Sequence, residues 1–185
     1  MALAKESRAP SPLAEAGVVR MLAVGALVFV ALALQSTVLA RMTILGVIPQ
    51  LVLIVVVALA YLDGERVGVV TGFTGGLLQD LLLPQSVDGL TALVYTLIGY
   101  GVGYLRLYAP SESVWTPVFV VAFATGVAEL SYAGLAIILG QAWISFPYTM
   151  KIIGLIVVYN TLLTPFVFPV VRKVAERFRP QRVYG

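Results

Sequence analysis

Two carboxylates stand inside apolar sequence, and they are the first candidates for chemistry. Glu129 lies well inside the apolar run 114–139. An unpaired charge at such a depth costs on the order of a few kcal/mol even on insertion scales. The residue must therefore be protonated or bonded to a polar neighbour, with Tyr132, Gln79 and Asn160 as candidates. Lys151 is a conceivable partner, but its depth matches poorly and a lysine side chain can snorkel outward. A polar tie between helices is the favoured role, and a proton or substrate site is its rival. Asp80 closes the run 67–83. An acid at a helix C-terminus opposes the helix dipole, so it needs water, a donor or a cation. Two readings stay open for it: a functional intramembrane acid, or a solvated interfacial acid that fixes the loop before Asp88-Gly89.

Gly68, Gly72 and Gly76 recur every four residues and share one helix face, which Asp80 continues. Small residues at this spacing let two backbones approach closely. Gly99 and Gly103 repeat the spacing and are the candidate receiving surface. The stripe serves either packing within the chain or contact with a partner. Further along, Asn160, Thr161 and Thr164 precede Pro165. The proline removes a backbone hydrogen bond and is expected to bend the helix. Asn160 stands near the resulting gap, where it can bond across helices or to a freed carbonyl.

The chain has no cysteine and no histidine. Thiolate chemistry, the commonest general base and the commonest zinc ligand are therefore missing. No HExxH pattern, phosphate-cradling loop or nucleophile–base pairing is present. The glycine segment follows no strand, so it is not a dinucleotide fingerprint. The expectation is a protein without catalysis, cofactor or metal.

The elements that must position these residues are membrane helices. Hydrophobic residues make up 60% of the 185 and charged ones 11%, against about 25% charged in soluble domains. A helix needs about 20 apolar residues to cross the hydrocarbon core. Runs of that kind occupy about 18–40, 47–62, 67–83, 89–108, 114–139 and 147–171. Pro49 suits a first helical turn, and Asp63-Gly64-Glu65-Arg66 is a polar turn. The runs do not alternate as barrel strands do, and backbone groups in lipid must bond internally. The expected fold is all-α, a polytopic bundle of six transmembrane helices. Five is the alternative count, if the second and third runs form a broken pair.

Basic residues in short loops mark the cytoplasmic side. With both ends inside, that side receives Lys5, Arg8, Arg20, Arg66, Arg106, Arg172, Lys173, Arg177, Arg179 and Arg182. The other side receives Arg41 and Lys151, which completes the 12 basic residues. An odd number of spans would put the basic C-terminus outside. The last five of these residues directly follow an apolar run, so they read as a cluster for anionic lipid head groups or a cytoplasmic partner, and not as a nucleic-acid patch. Residues 1–17 read as a flexible cytoplasmic tail without the layout of a secretory signal peptide, and residues 173–185 as a basic cytoplasmic tail.

From Pro49 to Tyr104 the sequence resembles the rod shape-determining MreD family. The resemblance is carried by Pro49-Gln-Leu-Val-Leu-Ile, by Val70-Thr-Gly-Phe-Thr-Gly-Gly-Leu-Leu-Gln-Asp80, and by Gly89 with its apolar run. The family's glycine–phenylalanine–x–x–glycine stretch and following acid fall on Gly72, Phe73, Gly76 and Asp80. Its acid or amide after the proline falls on Gln50. Near the end, Asn160, Pro165 and Arg172-Lys173-Val174 match the family's asparagine, proline and basic stop, so the likeness runs from about 18 to 178. The resemblance implies a six-helix bundle similar to the substrate-binding subunits of energy-coupling-factor vitamin transporters. It also implies a place in the bacterial inner membrane, within the cell-elongation machinery for peptidoglycan. Its implied partners are MreC and, through it, the MreB filament, RodA and a class B penicillin-binding protein, with no catalysis. A rival class, a small-solute transporter subunit, needs an outward-open polar cavity lined by Asp80, Gln79, Glu129 and Lys151. A small membrane enzyme or lipid-handling protein is the third class.

Overall fold

The computed structural model describes residues 12–41, 43, 46–82, 89–108, 115–140 and 145–178. Arg179 and Arg182, Lys5 and Arg8, Asp88 and most of the expected N-terminal tail lie outside the described residues. Among those described, every regular element is helical. Six α-helices follow in order: α1 (Pro12–Thr37), α2 (Leu51–Asp63), α3 (Glu65–Leu82), α4 (Leu90–Leu105), α5 (Thr116–Ile138) and α6 (Phe146–Arg177). Short 3-10 turns extend α1 through Leu39–Arg41 and α4 through Arg106–Tyr108. The four stretches Gly17–Arg41, Leu90–Tyr108, Thr116–Ile138 and Phe146–Arg177 are long and apolar enough to cross a membrane. α3 has 18 residues but carries Glu65, Arg66, Gln79 and Asp80, and α2 has only 13.

α2 is the centre of the molecule. Its first ten residues, Leu51 to Ala60, are all buried, and it packs against each of the five other helices. A helix that is hydrophobic all round suits a core and a lipid surface alike, and it is the five enclosing helices that make α2 the core. The β-branched run Ile54-Val55-Val56-Val57 is stiff at χ1 and a modest helix former by propensity. Surrounded on all sides, it packs as a rigid rod, with each of these residues at most 2% exposed.

The surrounding helices present apolar side chains outward. Met21, Leu22, Phe119, Phe123, Leu162 and Phe166 are each at least 65% exposed. Such a surface is not kept in water, and with the long apolar helices it identifies a membrane-embedded protein.

The polypeptide turns tightly between α2 and α3. Gly64 takes φ of +98°, a conformation costly for a residue with a Cβ. Its N–H still bonds Ala60 O at 2.8 Å, and Glu65 opens α3 where the dipole favours an acid. Helices consecutive in sequence run antiparallel, and α2 and α6 run in the same direction. Arg20 near the start of α1 meets Asp63 at the end of α2. Tyr61 meets Phe168, in the second half of α6, edge to face. Glu65 meets Gly103 near the end of α4. The start of α1 and the end of α6 therefore share one pole of the bundle, called here the basic pole. α6 is helical through Pro165 and Pro169 to Arg177. Its far end is docked through buried Val171 and Ala175, while Arg172, Lys173 and Arg177 stay exposed.

Candidate functional site

The glycine stripe of α3 meets α4 backbone to backbone. A Cβ on Gly68 would collide with the carbonyl of Gly99, and one on Gly72 with the carbonyl of Tyr95. At Gly76 it would lie 2.5 Å from Ala92 Cα. Gly99 and Gly103 complete the same seam, Gly103 against Glu65. Contact this close depends on the missing side chains. All five glycines are buried, so this face is occupied within the chain. Gly75 points elsewhere, toward Val52 and Val28.

Asp80 ends the stripe. Its Oδ2 accepts the N–H of Ala92 at 3.1 Å, and the residue is 4% exposed. The acid that opposes the dipole of its own helix thus sits at the N-terminus of α4, where the sign is reversed and an anion is favoured. Its Oδ1 is buried without a hydrogen-bond partner.

The first N–H groups of any α-helix lack intrahelical acceptors. For α2 this matters, because its 13 residues span only about 20 Å and its N-terminus is packed inside the bundle, with Pro49 and Leu51 to Val55 buried. Side chains from all the other helices gather there. The N–H of Gln50 donates to Asn160 Oδ1 of α6 at 2.9 Å. The N–H of Val52 donates to Gln35 Oε1 of α1 at 3.0 Å. The Gln50 amide donates to Glu129 Oε1 of α5 at 2.6 Å and accepts from the Tyr95 hydroxyl of α4 at 3.1 Å. Gln35 donates to Gln79 of α3 at 3.4 Å. Asn160 in turn donates to Thr125 at 3.2 Å, while its carbonyl accepts from Thr164 at 2.7 Å. Asn160, Thr125 and Thr164 are completely buried.

The result is an amide layer across the bundle. Of the residues singled out in the sequence, it unites Gln79, Glu129 and Asn160. Asp80 lies beside it on the seam. Lys151 is exposed, and the Glu129 carboxylate is engaged by Gln50. Gln35, Tyr95 and Thr125 carry the layer too, and sequence reasoning passed over them. Gln35 had the same signal as Gln79, a primary amide in an apolar run. Tyr95 and Thr125 are common in membrane helices and had none.

The other end of α2 is held by charge. Arg20 Nη2 lies 2.8 Å from Asp63 Oδ2, with the Asp63 side chain 2% exposed. Arg106 donates to the Leu62 carbonyl at 2.7 Å and rests against Gly64. A cation on the last carbonyls complements the helix dipole. Arg172 pairs with Glu176 at 2.7 Å on the surface of α6. Between α4 and α5 lies an apolar cleft of about 640 Å³, lined by Leu97, Ile98, Gly101, Phe119 and Phe123, with Arg106 at one end.

These groups satisfy backbone and hold helices together. Among the described residues, none forms a nucleophile paired with a base. The family model described as rod shape-determining protein MreD matches residues 17–174. No curated protein and no solved structure matches the chain. The family match takes in both the seam and the amide layer and covers most of the 185 residues. The chain therefore belongs to the MreD family of membrane proteins that determine rod shape.

Proposed function

We propose that this chain is a non-catalytic scaffold of the bacterial cell-elongation complex, lying in the inner membrane as six transmembrane helices with both ends in the cytoplasm. The observation that carries the reading is the family match over residues 17–174. The packing supports it. The amides and hydroxyls of the layer at the start of α2 are engaged with one another, and the outward faces are apolar, so contacts in the plane of the membrane are what the chain has to offer. The partner held there is the transmembrane helix of MreC. Through MreC the scaffold reaches RodA, a class B penicillin-binding protein and, indirectly, the MreB filament.

The distribution of charge supports the orientation. Arg20, Arg66, Arg106, Arg172, Lys173 and Arg177 gather at the basic pole, and Arg41 and Lys151 at the opposite one. By the positive-inside rule the basic pole is cytoplasmic. Arg172, Lys173 and Arg177, with Arg179 and Arg182 beyond, then face anionic lipid or a cytoplasmic partner.

The transporter reading needs Asp80, Gln79, Glu129 and Lys151 around one open cavity. Gln79 and Asp80 are buried and Lys151 is exposed, which does not favour it. The scaffold reading is tested by co-purification with MreC in mild detergent. Retention of MreC is the expected result, and its loss under conditions that keep the chain folded would sink the idea.

A further inference from the structure

α4 has two working faces. One is the glycine seam with α3. The other forms the open cleft with α5, of about 640 Å³. Its floor is buried Val94, Ile98 and Ala124, and its lips are exposed Leu97, Leu105, Phe119 and Phe123. An apolar recess opening on a bilayer does not stay empty, because unfilled walls forfeit dispersion contacts. The dimensions select the occupant. From Val94 to Arg106 the cleft runs along about 18 Å of helix. One leaflet of a hydrocarbon core about 30 Å thick is about 15 Å deep. The recess thus suits a chain confined to one leaflet better than a helix that crosses both.

The mouth has its own chemistry. Arg106 stands there beside Tyr61 and Thr116, its position set by the Leu62 carbonyl. A guanidinium carries five N–H donors and is suited to phosphate oxygens. We propose that the α4–α5 cleft binds one acyl chain of an anionic phospholipid, with the lipid phosphate on Arg106. The assignment to the cytoplasmic leaflet rests on the orientation given above; the site itself is independent of the partner.

Gly101 offers a clean test. It lines the cleft, and a Cβ added there meets no heavy atom within 4 Å. Gly101→Leu should therefore fill the recess without disturbing the helices. The full chain, extracted in mild detergent from membranes containing phosphatidylglycerol and phosphatidylethanolamine, is examined by native mass spectrometry. Wild type should retain one phospholipid, favouring phosphatidylglycerol about fivefold, the preference of one basic residue for an anionic surface. Gly101→Leu should lose that lipid at an unchanged melting temperature. Arg106→Gln should keep a lipid and lose the preference, and Arg106→Lys should restore it.

Equal retention by wild type and Gly101→Leu overturns the proposal, as does a preference indifferent to Arg106. A photocrosslinker at Leu97 that captures a partner helix in place of lipid overturns it too, and leaves the scaffold reading standing. Wild type that holds the lipid but fails to retain MreC has the opposite consequence.

Discussion

Gly99 and Gly101 are two positions apart on α4 and chemically identical, yet they face opposite surroundings. A methyl group on Gly99 would enter the backbone of Gly68, whereas one on Gly101 would meet nothing within 4 Å. The first face is complete within the chain and the second is open to the bilayer. A small residue in a membrane helix thus marks either a finished contact or a vacancy, and only the neighbouring helix distinguishes the two. The same contrast appears along α2. Its N-terminus is held by neutral amides that converge from other helices, and its C-terminus by arginines at the basic pole.

These contrasts can be broken by substitution, with thermal unfolding in detergent as the common readout. The largest effect is expected at Gly99→Ala. Two backbones must part to admit the methyl group, which should cost about 3 kcal/mol, the upper range for overpacking. An unchanged melting temperature there would mean that the seam is looser than its geometry. Asn160→Ala should come next. It strands the half-buried N–H of Gln50 and the fully buried Thr125 hydroxyl, at a cost of about 2 kcal/mol. Gln50→Ala would remove partners of both Glu129 and Tyr95, so the pair of variants tests whether the amide layer acts as one unit. Non-additivity in the double variant is the expected result.

At the charged end of α2, Arg20→Ala leaves the Asp63 carboxylate buried without its arginine. The arginine is itself partly exposed, so a loss of about 1 kcal/mol is expected, below the range for fully buried pairs. Arg20→Lys should recover part of it. Smallest of all, Gly101→Ala should shift stability by less than about 1 kcal/mol, and toward gain, since alanine is the better helix former. A loss at Gly101 as large as that at Gly99 would erase the distinction between the two faces of α4.

Much of the helical framework was legible before the structure. The spacing of Gly68, Gly72 and Gly76 follows from the period of the helix, and so does that of Gly99 and Gly103. The need of Glu129 for a polar partner follows from the cost of charge in lipid. Its partner did not follow. Gln50 reaches Glu129 because α2 is short, only 13 residues, and its start lies beside the middle of α5. Asp80 is similar. The sequence shows an acid on the unfavourable end of its own helix, and only the packing shows that the N-terminus of α4 supplies the donor. Nor was α2 recognisable as the centre, because lipid-facing and core-facing residues are equally apolar in a membrane protein and hydropathy alone does not separate them.

Composition and run length by themselves determined that this chain is helical and lives in lipid. Two things account for that: too few charges to face water, and a backbone that must bond to itself. The periodicity of its glycines determined which residues share a face. The tertiary structure alone decided which face meets which. It set Gly99 against backbone and Gly101 against open space, and gathered amides from helices far apart in sequence at the start of α2. The physical reason is common to both. Helical period and transfer free energy are local properties, readable residue by residue. The relative placement of helices depends on side-chain shape and hydrogen-bond satisfaction between segments that the linear order does not bring together.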